Sequence, residues 1–332
     1  MKSPLPVRHG VGATRLRLPE GGFDTILDYV MHRFGHVDAD GLLRRFDDGE
    51  VVGIDGTPIR RDTPLSEHEF LWYYREVAHE DPIPFTETVL YQDEHVVAVD
   101  KPHFLPTTPG GKFVQESALV RLRNRLDLPD LIPMHRLDRA TAGVVLFAAN
   151  PATRGKYQTM FQRRSIRKRY ECVSALPAHL THDDGTAPTT DALRERLGLP
   201  LTYRNRMTKV KGQLRAIVEA GEPNAETAID LIAAGTASAP AAETGPGAAV
   251  GHFALAPHTG KTHQLRVHMA ALGLGILNDA FYPDLWDLAP DDYSRPLQLL
   301  ARSIEFTDPL TRREVRFDSQ LTLASAPAGG SA

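Results

Sequence analysis

One cysteine, Cys172, is all the thiol this chain of 332 residues carries, so an internal disulfide and a cysteine-built metal site are both excluded. Long apolar runs are missing as well. Nothing approaches the ~18 residues that a membrane helix needs, and Met1 to Gly12 lacks the apolar core of a secretory signal. We therefore expect a cytoplasmic protein with no membrane partner. An excess of positive charge is also absent: 38 Lys and Arg stand against 42 Asp and Glu, a net −4. That excludes a uniformly basic nucleic-acid binder and leaves only a local patch to meet a polyanion. Carboxylates, finally, are missing from one stretch. Between Pro151 and Tyr170 stand Arg154, Lys156, Arg163, Arg164, Arg167, Lys168 and Arg169, with no acidic residue among them. Charge alone leaves this run as either a phosphate-facing surface or a solvated face.

What is present fits a globular chain, 42% hydrophobic and 24% charged, long enough for a large domain and a small one. Residues 1–20 read as an extended arm. Apolar residues at helical spacing predict a helix over Thr25–Phe34 and a second, short one at Leu42, Leu43 and Phe46. Short strands follow around the turn Asp55-Gly56 and in Phe70–Tyr74. Together these make a small α+β module over 21–77, with a proline-marked linker at 78–87. A second domain, 88–322, opens on a hairpin (Val89–Tyr91, His95–Val99). It continues with a helix over Ser117–Leu126, a buried strand at Gly143–Ala149 and a basic helix after Pro151. Strands at Tyr170–Ala175 and Leu214–Ala220 come next, and then a helix over Thr262–Leu272. Gly235–Ala249 reads as a flexible loop and 323–332 as a disordered tail. Strands and helices do not alternate strictly, so the class is α+β rather than doubly wound.

Three chemistries can be weighed and set aside. Gly260-Lys261-Thr262 ends like a phosphate-binding loop, but the earlier glycine such a loop requires falls at Leu255. His258, His263 and His268 are spaced by five, about 140° apart on a helix and on opposite faces of a strand, so they do not converge on a metal. Cys172 has no activating neighbours and reads as a small buried apolar residue.

The informative stretch is His135-Arg136-Leu137-Asp138-Arg139-Ala140-Thr141-Ala142-Gly143, just ahead of the apolar strand. By itself it reads as a salt-bridged turn. It closely resembles, however, the His-Arg-Leu-Asp-x-x-Thr-Ser-Gly signature of RluA-type pseudouridine synthases, and further landmarks of that family follow in order. They are Lys101-Pro102, Lys168-Arg169-Tyr170, Gly221 to Thr227, Gly260 to His268, and Ile276-Leu277-Asn278-Asp279 with Tyr282. The resemblance spans roughly 88–318, with insertions around 176–210 and 233–250. It implies the pseudouridine synthase fold, with a mixed, mostly antiparallel central sheet flanked by helices. It implies isomerisation of uridine in ribosomal or transfer RNA. That reaction moves no electrons and no phosphoryl group, so we expect no cofactor and no metal, and we take the chain to be a monomer with no obligatory protein partner.

Carried over by position, Asp138 resembles the catalytic aspartate, Tyr170 the active-site tyrosine and Arg266 the arginine that pairs with the aspartate. Arg136 resembles the residue that enters the RNA stack, and Ile276 or Leu277 the apolar residue under the base. His135, Thr141, Lys261, His263 and Gln264 complete the expected substrate-binding set. Arg154, Arg163, Arg164, Arg167, Lys168 and Arg169 are expected on the RNA backbone. The chemistry is consistent with these roles. A carboxylate can act as nucleophile, and in a dry pocket a guanidinium opposes its tendency to protonate. A flipped base needs a stacking partner such as Tyr170, worth ~1–3 kcal/mol. Five positions depart from the family pattern: Ala142 for Ser, Lys261 for Arg, Asn278 for Gly, Leu300 for His and Glu222 for Lys. The module over 21–77 resembles a small RNA-binding module of a ribosomal small-subunit protein, the S4 type, with its cations offset by carboxylates. The competing reading is a non-catalytic RNA-binding protein on the same scaffold, which would not need Asp138, Tyr170 and Arg266 together.

Overall fold

Leu16 alternates with Arg15 and Arg17, a period of two that makes a strand. Thr14–Arg17 (β1) pairs antiparallel with Phe70–Tyr73 (β2), Leu16 opposite Leu71. The computed structural model describes residues 3–75, 80–239, 247–287, 289 and 292–328. It divides the chain into Met1–Pro82 with Thr108–Pro129, and Ile83–Thr107 with Asp130–Ala332.

In the first unit Thr25 opens the helix Ile26–Asp47 (α1) with a capping box, its hydroxyl taking the Asp28 N–H while the Asp28 carboxylate takes the Thr25 N–H. Asp38 breaks this run (φ −161°, ψ 82°) and accepts from the Gly41 N–H, so two helical pieces result, as the periodicity expects. Around Asp55-Gly56 only bridges form, Val52 with Pro58 and with Trp72. The described residues of the expected arm, 3–20, are not free of the fold. β1 lies in the small sheet and Leu18 is buried in the core with Ile26, Phe46 and Leu71. The helix Ala118–Leu126 (α2) belongs to this unit too, although the sequence assigned it to the second domain. Of the expected linker, residues 78 and 79 lie outside the described residues. Glu80 takes the backbone N–H groups of Val114, Gln115 and Glu116 at 2.7–2.8 Å.

The second unit is built on one sheet. Thr88–Gln92 (β3) and Val96–Lys101 (β4) form the expected hairpin. Ile132–Pro133 (β5) and Ala142–Ala148 (β6) follow, then the helix Arg154–Gln162 (α3) and Ile166–Ala175 (β7). Thr190–Arg196 (α4), Leu201–Thr208 (β8), Ile217–Glu219 (β9), Ala225–Thr236 (β10) and Ala249–Pro257 (β11) come next. The helix Gln264–Ala271 (α5) and the strands Leu299–Thr307 (β12) and Glu314–Asp318 (β13) complete it. The strand order is β3-β4-β6-β12-β7-β11-β10-β8-β9, with β5 on β6 and β13 on β12. Among the described residues only β6 and β12 run parallel. The sheet is mixed and mostly antiparallel, and the fold is α+β.

β4 and β6 are buried on both faces, which explains their unbroken apolar runs. At Gly143 the close approach of β12 decides the residue. Its φ is +111°, and a Cβ there would meet the Ala301 carbonyl oxygen at 2.3 Å. The end of the chain is less loose than its composition implies. Leu323 and Ser325 are buried, the Ser325 N–H reaches Gln298 Oε1 and Pro327 pairs with Ala237. Residues 329–332, and 240–246 of the expected flexible loop, lie outside the described residues.

Candidate active site

The segment ahead of β6 forms the first wall of a cavity of about 640 Å³. Met134 to Asp138 line it, with Leu137 largely buried, while Arg139 lies off it over the Phe104 ring, 5.7 Å from its centroid. The Thr141 N–H closes the turn on the Asp138 carbonyl at 3.1 Å. β7 forms the second wall. Its period of two places Ile166, Lys168 and Tyr170 on the cavity, with Leu299 of β12 beside them. The loop before α5 and the helix's first turn supply the third, with Lys261, His263, Leu265 and Arg266.

Arg266 is the electrostatic centre. Its Nε and Nη2 bond Asp279 at 2.7 and 2.5 Å, and its Nη1 lies 3.6 Å from Asp138 Oδ2. The guanidinium also sits 4.8 Å from the Phe281 ring centre and 5.4 Å from that of Tyr282. Burial pulls the Arg266 pKa down, but the bonds and charge of Asp279, with the charge of Asp138, outweigh it and leave it raised. His263 Nε2 lies 3.8 Å from the same Asp138 oxygen, and its Nδ1 is 3.0 Å from the Tyr282 hydroxyl. Burial lowers the His263 pKa despite the attraction of Asp138. Burial, and then the Asp138 charge, push the Tyr170 phenol well above its ordinary value, so its proton stays on at neutral pH.

Lys101, fully buried, donates to the carbonyls of Pro102 (3.0 Å), Leu105 (2.8 Å) and Arg139 (3.4 Å). Burial lowers its pKa to about 7 against the pull of Asp138. The Asp138 side chain is 32% exposed. The protein's walls alone therefore do not make the water-poor surround that the sequence led us to expect.

The remaining sequence candidates separate. Thr141, His135 and Gln264 all line the cavity. His135 takes the Leu146 N–H on Nε2 and stacks on Phe161, and burial drives its pKa down to about 3. Gln264 joins the cavity loop to β10: its Oε1 accepts from the Thr259 hydroxyl and the Lys261 N–H, and its Nε2 donates to the Glu226 carbonyl. Ile276 and Leu277 are not on the cavity. Ile276 packs with Phe253 and Leu299 in the core, and Leu277 bonds the backbone of Val173. The apolar residues that do line it include Met134, Leu137, Phe161, Ile166, Leu265 and Leu299.

The cationic run is likewise not one surface. Arg164 and Lys168 reach the cavity. Arg167 pairs with Glu305 and Glu314, Arg154 turns toward the Asp130 carbonyl, and Arg163 and Arg169 are exposed. Asp279 is the residue the sequence reading passed over. A buried arginine demanded a carboxylate, and the motif holding Asp279 supplies it.

Two departures from the family pattern fall together. Ala142 and Leu300 are register partners across the parallel pair and share an apolar cluster. With both positions apolar, neither side chain leaves a buried polar group unsatisfied. Asn278 adopts φ +61°, a conformation in which asparagine is the usual substitute for glycine. The three histidines go separate ways: His258 is exposed, His263 is at the cavity, and His268 is buried against Asn205. Burial raises the Cys172 thiol far above its usual range, as expected for an inert residue.

Comparison with known proteins bears on this geometry. The family model for RNA pseudouridylate synthases matches residues 95–271, just over half the chain. The dual-specificity RNA pseudouridine synthase RluA of Salmonella typhi is 32% identical over 234 residues, covering 69% of this chain and 90% of that protein. Its Haemophilus influenzae counterpart is 29% identical over 245 residues, covering 70% and 92%. Human RNA pseudouridylate synthase domain containing 1 superposes with a TM-score of 0.51 at 20% identity, over 73% of this chain and 86% of that one. This last likeness speaks for the fold.

Proposed function

Because the chain belongs to the RNA pseudouridylate synthase family, of the RluA type, and so isomerises uridine to pseudouridine in RNA, we propose that Asp138 is the nucleophile of that reaction. The observation that carries this reading is the Asp138 carboxylate facing the cavity with Arg266 Nη1 at 3.6 Å.

The reaction breaks the N1–C1′ bond, turns the uracil and forms C5–C1′. One proton leaves C5 and one is taken up at N1, so atoms and electrons balance and neither a redox cofactor nor a phosphoryl donor is required. A carboxylate serves as nucleophile. Arg266 sets a fixed positive charge beside it, and Asp279 keeps that charge from swinging away. Tyr170 stacks on the extruded base, a contact worth ~1–3 kcal/mol, and its hydroxyl keeps its proton and can donate at rest. Arg136, exposed at the cavity mouth, fills the gap the base leaves, offsetting part of an extrusion cost of a few kcal/mol. Arg164 and Lys168 on one wall and Lys261 on another hold the phosphates, with Arg163 and Arg169 further out.

We read the substrate as structured ribosomal or transfer RNA, a breadth in keeping with relatives named dual-specificity RNA pseudouridine synthases. The enzyme acts as a monomer without protein partner, since Asp138, Tyr170 and Arg266 all come from one unit of one chain. It works in the cytoplasm, where a free thiol such as Cys172 persists. Among the described residues no helix is long and apolar enough to cross a membrane. The module over 21–77 is read as an S4-like one that adds little to phosphate binding, because its Arg61 pairs with Asp47.

The test is direct. Bulk ribosomal and transfer RNA from cells lacking the gene, labelled with 5-³H-uridine, should release tritium to water when the purified protein is added. Sequencing should then locate the new pseudouridines. No tritium released from either RNA would overturn the reading.

A further inference from the structure

The backbone on both sides of Asp138 is held by one short segment, residues 101–107. The Thr107 hydroxyl donates to the Leu137 carbonyl at 2.9 Å and accepts the Leu137 N–H at 3.1 Å. On the far side, His103 Nδ1 lies 2.7 Å from the Ala140 carbonyl, and Lys101 Nζ reaches the Arg139 carbonyl. Phe104 lies under the Arg139 guanidinium with φ +67°, a left-handed conformation that side chains other than glycine's rarely adopt. Such strain persists where surrounding contacts over-determine it. Thr107 and Phe104 are buried, so water does not readily replace these bonds.

We propose that Thr107 and His103 are positioning residues for the reaction: they fix the peptides at 137 and 140 and so aim the Asp138 carboxylate at the substrate. This rests on the reading of Asp138 as nucleophile.

Thr107 acts as a strand neighbour would, giving one bond and taking one, although Leu137 lies in a loop. A valine has the same shape and can do neither. His103 must carry its proton on Nδ1 to donate to Ala140. Burial, first among the causes, lowers its pKa to about 4, so the ring is neutral at working pH and this bond selects its tautomer. With 137 and 140 held and the Thr141 N–H on the Asp138 carbonyl, the carboxylate swings about its own side-chain torsions alone. Releasing either anchor lets the loop shift, and a misplacement of ~1 Å costs on the order of 100-fold in rate. RNA affinity should be little affected, because neither residue lines the cavity.

The experiment compares Thr107→Val with Thr107→Ser, and His103→Leu with His103→Asn, whose amide donor can stand where Nδ1 does. Each full-length variant is assayed on bulk 5-³H-uridine-labelled ribosomal and transfer RNA, with melting temperature and RNA retention on filters measured alongside. Thr107→Val and His103→Leu should slow tritium release at saturating RNA by about 10- to 100-fold, with half-saturation moved less than about threefold. Thr107→Ser and His103→Asn should recover to within about threefold of the parent. Full speed in a folded Thr107→Val or His103→Leu protein would overturn the proposal. So would losses that the Ser and Asn variants fail to rescue. Should Thr107→Val not fold, the His103 pair decides. Asp138→Asn is run beside them. Turnover by that variant would remove the nucleophile reading itself, whereas an inactive Asp138→Asn beside fast Thr107→Val and His103→Leu variants would remove only the positioning role.

Discussion

Arg266 gives two of its nitrogens to Asp279 and turns the third, Nη1, toward Asp138 at 3.6 Å. Asp279 is therefore the group that holds the guanidinium in place, and in the proposed mechanism Asp138 is the one that uses its charge.

Removing Asp279 should cost both stability and turnover. Asp279→Ala leaves a buried cation with one distant partner, and breaking such a pair costs about 3 kcal/mol or more. Calorimetry should show a lower Tm, and tritium release should fall with it. The double variant Arg266→Met/Asp279→Leu replaces the pair with apolar groups, so it should melt above Asp279→Ala yet remain inactive. If the double variant turned over RNA, Arg266 would have no part in the chemistry.

The separation of the cationic run gives a second expectation. Arg164→Gln should reduce the slope of log affinity against log salt by about 0.9, the release of roughly one phosphate contact. Arg167→Gln should leave the slope unchanged, because Glu305 and Glu314 already engage that cation. Equal slopes for the two variants would place the phosphate track elsewhere.

Acid should destabilise the fold through its buried histidines. Burial lowers the folded pKa of His135 to about 3 and those of His103 and His268 to about 4, below an unfolded value of ~6.5. As pH falls below ~6.5 the unfolded chain takes up protons first, so this stability is full above that pH and is lost through the folded pKa values. Tm should fall between pH ~6.5 and ~4, and His135→Gln, which keeps an acceptor for the Leu146 N–H, should show a smaller fall. An equal fall in parent and variant would mean that His135 is not held neutral by burial.

The fold was largely readable because its strongest local patterns agree with its tertiary contacts. The run Gly143–Ala149 is apolar without alternation since β6 is covered on both faces. The site motifs around Asp138 and Arg266 were likewise contiguous in sequence. What the sequence concealed depends on direction or distance. Seven neighbouring cations look like one patch until β7 begins at Ile166 and sends Lys168 and Tyr170 one way and Arg167 the other. The alternation Ile166, Lys168, Tyr170 was the available signal. Ile276 and Leu277 follow the family order, yet the backbone pairing with Ser174 and Val173 takes them into the core. Nothing local says that Thr107 will bond Leu137, thirty residues on.

The most direct measurement is tritium release from 5-³H-uridine-labelled RNA by Asp138→Asn, which keeps the shape of the side chain and removes its charge. The variant should melt near the parent temperature and retain RNA on filters with similar affinity, while releasing no tritium above background. Release at anything near the parent rate from a folded Asp138→Asn protein would contradict the assignment of Asp138 as nucleophile.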